Sequence, residues 1–177
     1  MKNSGDLAYS GSLAAEYCAM DEIDLRILAE LQRNGRLSNA ELAERVGLTQ
    51  SPCLRRVRQL ERTGTIRGYH ARLDHHALGR GFEVFVDVLM RHQDRATTAE
   101  FERELESLPD VVEVFRLFGE PDYLLRVVVS DIDTYERFHT EALSVLPGIA
   151  NLTSHLVMKQ VKAAGGIPLQ PGNSTLH

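Results

Sequence analysis

Residues 38–60 read SNAELAERVGLTQSPCLRRVRQL, and this stretch decides the fold of the first part of the 177-residue chain. Ser38, followed three residues later by Glu41, forms a capping box, which satisfies two backbone N–H groups at the start of a helix. Gly47 ends that short helix, since glycine readily adopts the left-handed conformation found just beyond a helix. A further helix begins at Thr49–Pro52, because proline is tolerated in a first helical turn. The stretch therefore predicts two short helices joined by a tight turn.

An apolar stripe indicates which side of the second helix is buried. Cys53, Leu54, Val57 and Leu60 recur at helical spacing as one buried stripe, so we expect them to face the core of their own domain. An earlier helix over residues 22–33, capped by Asp21, would complete a three-helix core. The pattern is that of a helix-turn-helix.

Residues 65–73, TIRGYHARL, suit a short β-hairpin, which would add a wing to the three helices. We therefore expect a winged helix-turn-helix domain over residues 21–73. The formal net charge of the chain is −5, yet residues 45–72 contain seven arginines and the single acidic residue Glu61. A basic patch on one domain of an acidic protein is typical of a phosphate-binding surface. The alternative is an arginine-rich helix that is merely solvated.

The second helix of the pair has side chains suited to reading double-stranded DNA. Burial of its apolar stripe turns its polar residues outward, where arginine can pair with guanine and glutamine with adenine in the major groove. Hydroxyl and N–H groups at its start suit phosphate, and arginines of the hairpin would contact the DNA backbone. The predicted DNA-binding residues are Thr49, Gln50, Ser51, Arg55, Arg56, Gln59, Arg67 and Arg72. Capped helix pairs also occur in proteins that never contact DNA, so the pattern alone leaves both possibilities open.

From Phe82 the apolar period changes from helical to alternating, which indicates a β-strand. Strands are predicted from Phe82, over residues 111–118, over Tyr123–Val129 and over residues 149–161. Two helices separate them, with predicted capping pairs Thr97–Glu100 and Asp133–Glu136. The order βαββαβ is that of a ferredoxin-like sandwich. The fold class is therefore α+β, a winged helix-turn-helix followed by a ferredoxin-like domain.

Domain boundaries follow from composition. Residues 74–81 form a predicted linker, and residues 82–162 form the second domain. The polar stretch 1–20 is expected to be a disordered tail, and residues 163–177 a flexible C-terminal tail.

The predicted sheet is apolar on both faces over Val84–Leu89 and Leu124–Val129. Two helices can cover only one face, so a second subunit is expected to cover the other. The alternative is a fuller core within one subunit.

The turn Gly119-Glu120-Pro121-Asp122-Tyr123 is a candidate ligand loop. Glycine permits close backbone approach, and the Asp122 carboxylate could accept hydrogen bonds from an ammonium group. The alternative is a plain β-turn in which aspartate is a turn-forming residue.

Residues 21–73 resemble the N-terminal domain of the Lrp/AsnC family of transcription regulators. The resemblance rests on Asp21-x-x-Asp24-x-x-Ile27-Leu28, Leu37-Ser38-Asn39-x-Glu41-Leu42, Val46-Gly47-Leu48-Thr49-x-Ser51-Pro52-Cys53-Leu54-x-Arg56-Val57 and Leu60-Glu61-x-x-Gly64-x-Ile66. It implies a winged helix-turn-helix, with Ala40–Gln59 matching the motif. It also implies regulation of transcription, often of genes of amino-acid metabolism.

Residues 82–162 resemble the ligand-sensing and oligomerisation domain of the same family, often called RAM. The matching residues are Val112, Gly119, Asp122, Tyr123, Leu125, Leu146-Pro147-Gly148-Ile149 and Thr153. The resemblance implies that an amino-acid effector binds at Gly119–Tyr123 in a cleft between dimers, and that homodimers assemble into an octamer. Glu120-Pro121 departs from the family's usual pattern.

Other classes of protein fit less well. The first twenty residues do not form a signal peptide and no apolar run reaches the length of a membrane span, so we expect a cytoplasmic, nucleoid-associated protein. Cys18 and Cys53 form neither a disulfide framework nor a metal site. No acid–base pair, activated nucleophile or metal cluster indicates an enzyme, and we expect no cofactor besides the effector. An architectural DNA-wrapping protein without an effector remains the alternative.

Overall fold

The computed structural model describes residues 20–163 and 165–169. The predicted disordered tail over residues 1–20 lies outside the described residues except for Met20. The chain divides into two compact units, with the boundary between Ala71 and Arg72, and residues 165–169 belong to the first unit. The predicted linker over residues 74–81 lies inside the second unit, as a turn-rich segment before its first strand. None of the helices in the described ranges is long and apolar enough to cross a membrane.

The first unit contains three helices, α1 (Glu22–Arg33), α2 (Asn39–Val46) and α3 (Gln50–Arg62), as predicted. The side chain of Asp21 accepts a hydrogen bond from the N–H of Asp24, and the Asp24 side chain accepts one from the N–H of Asp21. Ser38 and Glu41 form the same reciprocal pair at α2. Gly47 ends α2 with a φ of 74°, a left-handed conformation that favours glycine. Local capping thus fixes where each of the first two helices begins.

The core of the first unit is formed by one buried face from each helix. Its buried members are Ile27, Leu42, Ala43, Val46, Cys53 and Leu60. The prediction that Leu54 joins this core is wrong, because Leu54 is 37% exposed. The prediction that Cys53 is buried is confirmed. Cys53, Val57 and Leu60 share one side of α3, whereas Leu54 lies about 100° further round the helix. Burial raises the pKa of the Cys53 thiol, which behaves as a small apolar side chain.

The predicted β-hairpin over residues 65–73 does not form, because no strand is assigned between α3 and Phe82. Ile66 packs against the core of the first unit, and the Tyr69 hydroxyl donates to Glu61 at 3.1 Å. These side-chain contacts hold the segment along α3. Residues 67–74 are exposed, so water can satisfy their backbone groups without a strand partner.

The second unit has the predicted order βαββαβ. Its elements are β1 (Phe82–Met90), α4 (Arg95–Glu106), β2 (Val111–Arg116), β3 (Tyr123–Val129), α5 (Ile132–Phe138) continued by a π-helical turn (His139–Leu143), and β4 (Ile149–Leu156). The sheet order is β2-β3-β1-β4, and every neighbouring pair is antiparallel. This is the ferredoxin-like arrangement, so the α+β fold class is confirmed.

The predicted helix caps of the second unit are wrong by a few residues. Asp94, rather than Thr97, caps α4 by accepting hydrogen bonds from the N–H groups of Ala96 and Thr97. Asp131, rather than Asp133, caps α5. In each case an aspartate two or three residues earlier accepts hydrogen bonds from the free N–H groups at the start of the helix. Two strands are shorter than predicted, since β2 ends at Arg116 and β4 at Leu156.

Within the second unit, both helical segments pack on one face of the sheet. The core there is formed by Val84, Val86, Val88, Met90, Phe101, Leu105, Tyr123, Leu125, Val127, Val129, Leu143 and Leu146. The opposite face, which we call the open face, has half-buried Phe85, Leu89 and Leu124 at its centre. The ion pair of Arg126 with Glu83 and the hydrogen bond between His155 and Asp87, at 3.0 Å, flank them.

Part of the predicted flexible C-terminal tail has a defined contact. The Ile167 N–H donates to Oε1 of Gln32 at 2.5 Å, and Nε2 of Gln32 donates to the Ile167 carbonyl at 3.2 Å. Residues 165–169 are thereby joined to α1, whereas residues 170–177 lie outside the described residues.

The capping box at α2 predicts that loss of the Ser38 side chain destabilises the protein more than loss of the Thr49 side chain. Ser38→Ala removes a side-chain cap and should lower the free energy of unfolding by about 1 kcal/mol. Thr49→Ala is the matched control, because Thr49 caps α3 without a side-chain hydrogen bond. Urea denaturation of the full chain, followed by circular dichroism, measures both. Equal losses for the two variants would contradict the capping assignment.

Candidate functional site

The outward face of α3 is a continuous polar and basic stripe. Ser51, Arg55, Arg58 and Arg62 are all exposed, and their spacing places them on the side opposite Cys53 and Leu60. The helix is 13 residues long. Three guanidinium groups on one exposed helix face form a surface complementary to phosphates and to guanine edges.

Arg56 lies on a different side of α3 from this stripe. Its Nη1 lies 2.7 Å from Oδ2 of Asp21 and 2.9 Å from Oδ1 of Asp24, and its side chain is 29% exposed. The hydrogen bond to Asp24 raises the pKa of Arg56 further above its ordinary value. Arg56 therefore joins α3 to the start of α1, and the prediction that it faces DNA is corrected. The predicted stripe includes Leu54, and burial of Leu54 would turn α3 so that Arg56 lay further from the core.

The other predicted residues of this surface are exposed. Thr49 and Gln50 begin α3, and the Asn39 side chain donates to the Gln50 carbonyl at 2.9 Å. The Gln59 side-chain oxygen accepts a hydrogen bond from Arg62. Arg67 follows α3 in the first unit, whereas Arg72 is the first residue of the second unit.

Sequence reasoning missed Arg58 and Arg62. A signal for them exists in the sequence, because Ser51, Arg55, Arg58 and Arg62 are spaced by four, three and four residues. That spacing is helical and out of phase with the buried stripe.

The predicted effector loop contains an exposed part and a buried part. Gly119 and Glu120 are exposed in the turn between β2 and β3. Asp122 is 7% exposed. Its carboxylate accepts hydrogen bonds from the Met90 N–H at 2.7 Å and from the Gln93 side chain at 2.5 Å. Asp122 thus joins the turn to the end of β1, and Pro121 precedes it in a cis peptide bond.

Tyr123 is also buried, at 1% exposure. Its hydroxyl donates to Oε1 of Glu102 on α4 at 2.7 Å, and the Arg116 guanidinium lies 5.8 Å from the centre of its ring. Burial together with the hydrogen bond to Glu102 raises the pKa of Tyr123 to about 12. The phenol therefore remains a hydrogen-bond donor at neutral pH.

A cleft lies beside these buried residues. It is lined by Gln93, Arg95, Thr98, Ala99, Glu102 and Arg116. Asp122 and Tyr123 are linked to it through their hydrogen bonds with Gln93 and Glu102. The sequence therefore identified residues that support the cleft, whereas the structure identifies those that line it. Within the described ranges, no cluster of three or more His, Cys, Asp or Glu side chains could hold a metal ion.

The placement of Arg56 predicts a pH-dependent loss of stability. Arg56→Gln should lower the free energy of unfolding by about 1 kcal/mol near neutral pH, since its ion pairs are only partly buried. The pKa of Asp21 lies below its ordinary value of 3.8, chiefly because of the hydrogen bond from the Asp24 N–H and also because of Arg56. The stabilisation from the Arg56–Asp21 ion pair is therefore fully present above pH 3.8, and it is lost as the pH falls through the lowered pKa of Asp21.

Urea denaturation at several pH values measures this difference. Arg58→Gln is the matched control, because Arg58 forms no ion pair with any residue the structure describes. Equal stabilities of wild type and Arg56→Gln at neutral pH would contradict the assigned role.

Two family models match the chain. A winged helix-turn-helix DNA-binding domain matches residues 20–67, and the Lrp/AsnC ligand binding domain matches residues 83–167. The first confirms the winged helix-turn-helix prediction at the level of the family, although no hairpin forms in this chain. The second model spans the sheet, both its helices and the cleft.

Curated relatives and solved structures agree with these models. The Bkd operon transcriptional regulator of Pseudomonas aeruginosa is 43% identical over 150 residues, which cover 85% of this chain and 98% of the relative. The leucine-responsive regulatory protein of Escherichia coli is 38% identical over 151 residues, covering 85% and 92%. A transcriptional regulator of Neisseria meningitidis, solved with L-methionine, has a TM-score of 0.81 and 37% identity, covering 85% and 97%. The chain belongs to the Lrp/AsnC family of DNA-binding transcriptional regulators, with a ligand-binding domain after its helix-turn-helix.

Proposed function

We propose that this protein is a sequence-specific transcription regulator that binds double-stranded DNA through α3 and responds to an amino acid. The observation that carries the DNA-binding part is the exposed stripe of Ser51, Arg55, Arg58 and Arg62. The opposite side of the same helix is fixed by the buried Cys53 and Leu60. A helix held on one side by its own core can present the other side to the major groove in a single orientation.

The length and charge of α3 suit the major groove. Its 13 residues extend roughly 20 Å, and the groove is about 12 Å wide and admits a helix. Residues near the start of a recognition helix contact base edges, while flanking residues contact phosphates. We therefore assign base contacts to Gln50, Ser51 and Arg55, and phosphate contacts to Thr49, Arg58 and Arg62. Gln59, Arg67 and Arg72 remain candidates for backbone contact.

Assembly would place two such helices on one DNA duplex. The open face of the sheet has Phe85, Leu89 and Leu124 at its centre, and within the second unit both helical segments pack on the other face. We infer that a second copy of the chain covers this open face. A homodimer built in this way would read two half-sites about one helical turn apart, and dimers would associate further into an octamer.

Ligand sensing is assigned to the second unit. Support comes from the family's ligand-binding domain, from the cleft beside Asp122 and Tyr123, and from the L-methionine bound to the Neisseria regulator. We propose an amino acid as effector, with Gly119–Tyr123 as the loop that responds to it. The name of the leucine-responsive regulatory protein supports an amino-acid effector, and we propose target genes in amino-acid metabolism on the resemblance to the family. The effector can act only through a difference in its affinity for two states of the protein.

The stripe on α3 predicts two different losses of DNA affinity. Arg55→Gln should weaken binding to a site selected from random duplex DNA by about ten- to a hundredfold and relax the preference at one base pair. Arg62→Gln should weaken binding to all DNA sequences, because it removes a phosphate contact. It should also reduce the slope of the logarithm of affinity against the logarithm of salt concentration by about one. Fluorescence anisotropy over a salt series measures both effects.

Arg137→Gln on α5 is the control for charge, because Arg137 is exposed in the second unit. Arg137→Gln should leave the affinity for DNA at a fixed salt concentration unchanged. If Arg55→Gln and Arg62→Gln bind the selected site as tightly as wild type, the assignment of α3 to DNA is wrong. An effector-free architectural protein would differ by showing no response to any amino acid.

The open face predicts a change in assembly. Leu89→Asp places a charge at the centre of the proposed dimer interface and should shift the protein toward the monomer. Val145→Asp is the matched control, because Val145 is 68% exposed in the turn before β4. Light scattering coupled to size-exclusion chromatography measures the mass of each. A wild-type monomer, or an unchanged mass for Leu89→Asp, would contradict the interface.

A further inference from the structure

The cleft in the second unit has the size of a small-molecule site. Its volume is about 350 Å³, which lies near the lower end of the range for ligand pockets. It lies among the segment after β1, the first turns of α4 and the end of β2. Its walls thus come from three separate parts of the fold.

The charges that line the cleft are unequal. Two guanidinium groups, those of Arg95 and Arg116, accompany the single carboxylate of Glu102. The Arg116–Glu102 pair is long, at 3.5 Å, and both side chains are about half exposed, so it is weak and open to rearrangement. Arg95 forms no ion pair with any residue in the described part of the chain. The cleft therefore has an excess of positive charge.

We propose that this cleft binds an acidic amino acid, such as glutamate or aspartate; the inference rests on the proposed effector function of the second unit. Glu102 would accept hydrogen bonds from the α-ammonium group. Arg95 and Arg116 would each bind one of the two carboxylates, since guanidinium groups pair with carboxylates in bidentate geometry. Gln93 and the buried Thr98 hydroxyl supply further polar contacts.

Charge balance favours this class over neutral amino acids. A neutral amino acid offers one carboxylate and one ammonium group, which leaves one guanidinium of the cleft without an anionic partner. An acidic amino acid matches the two cations and one anion of the lining. Discrimination between glutamate and glutamine therefore depends on one charge-assisted contact, the kind of contact that gives strong selectivity.

Two hydrogen bonds connect such a ligand to the loop proposed to respond. Gln93 donates to Asp122, and Tyr123 donates to Glu102. A ligand that draws Glu102 toward its ammonium group would compete with the Tyr123 hydroxyl. Occupancy of the cleft would thereby change the position of Gly119–Tyr123 at the end of β2.

The test is calorimetric titration of the full chain with L-glutamate, L-aspartate, L-glutamine, L-asparagine, L-leucine and L-methionine at fixed salt. We expect at least one acidic amino acid to bind about tenfold or more tightly than its amide. Arg95→Gln and Arg116→Gln should each weaken binding of the acidic amino acid, and the variant that loses the contact with the side-chain carboxylate should also lose the preference for acid over amide. Arg103→Gln is the control, because Arg103 lies on the same helix, is 70% exposed and does not line the cleft.

Equal binding of acid and amide by the wild-type protein would overturn the inference, as would a preference that is unchanged in both Arg95→Gln and Arg116→Gln. A parallel gel shift on selected DNA separates this failure from failure of the proposed function. If a neutral amino acid changes DNA affinity and the acidic ones do not, the cleft inference is wrong and the regulator remains. If none of the twenty amino acids binds or changes DNA affinity, both the cleft inference and the effector function are wrong.

Discussion

The one-sided burial of α3 is the constraint on which the first unit depends. Cys53 and Leu60 are almost fully buried, and a helix of about 3.6 residues per turn must then present the residues on its opposite side to solvent. Arg56 adds a lateral restraint through Asp21 and Asp24, which also form the cap of α1. The start of α1 therefore sets both the cap of its own helix and the rotation of α3, and the outward stripe follows from that rotation.

In the second unit, an antiparallel sheet covered by helices on one face separates two kinds of surface. The cleft lies on the helix side, where Asp122 and Tyr123 are buried among the residues that support its lining. The open face has apolar residues flanked by an ion pair and a hydrogen bond. Ligand binding and assembly are thus assigned to opposite sides of one sheet. Under these proposals, a ligand in the cleft would affect assembly through β2 and β3, which contribute residues to both sides of the sheet.

Much of the fold could be predicted from the sequence because its signals are local. The capping box of Ser38 and Glu41, the left-handed Gly47 and the alternating residues of β1 each act within a few residues of their own position. The wrong or missing predictions concern features that depend on contacts between separate elements. Which arginine of α3 faces solvent depends on the exact phase of burial, and including Leu54 beside Cys53 in the buried stripe placed Arg56 too far from the core. The hairpin prediction failed because the Tyr69 hydroxyl donates to Glu61 on α3 and Ile66 packs against the three-helix core, contacts that the local strand pattern does not reveal. The cleft lining was missed because it joins residues from α4 and β2.

The proposal that α3 recognises DNA in a sequence-specific way is tested by measuring how much more tightly the protein binds its selected site than other DNA. The wild-type protein would be used to select a site from random duplex DNA, and its affinity for that site would be compared with its affinity for a scrambled sequence at about 0.15 M salt. The account predicts a ratio of about a thousandfold or more, the range of specific regulators. A ratio near one would contradict sequence-specific recognition by α3 and would favour an architectural protein that binds the DNA backbone alone.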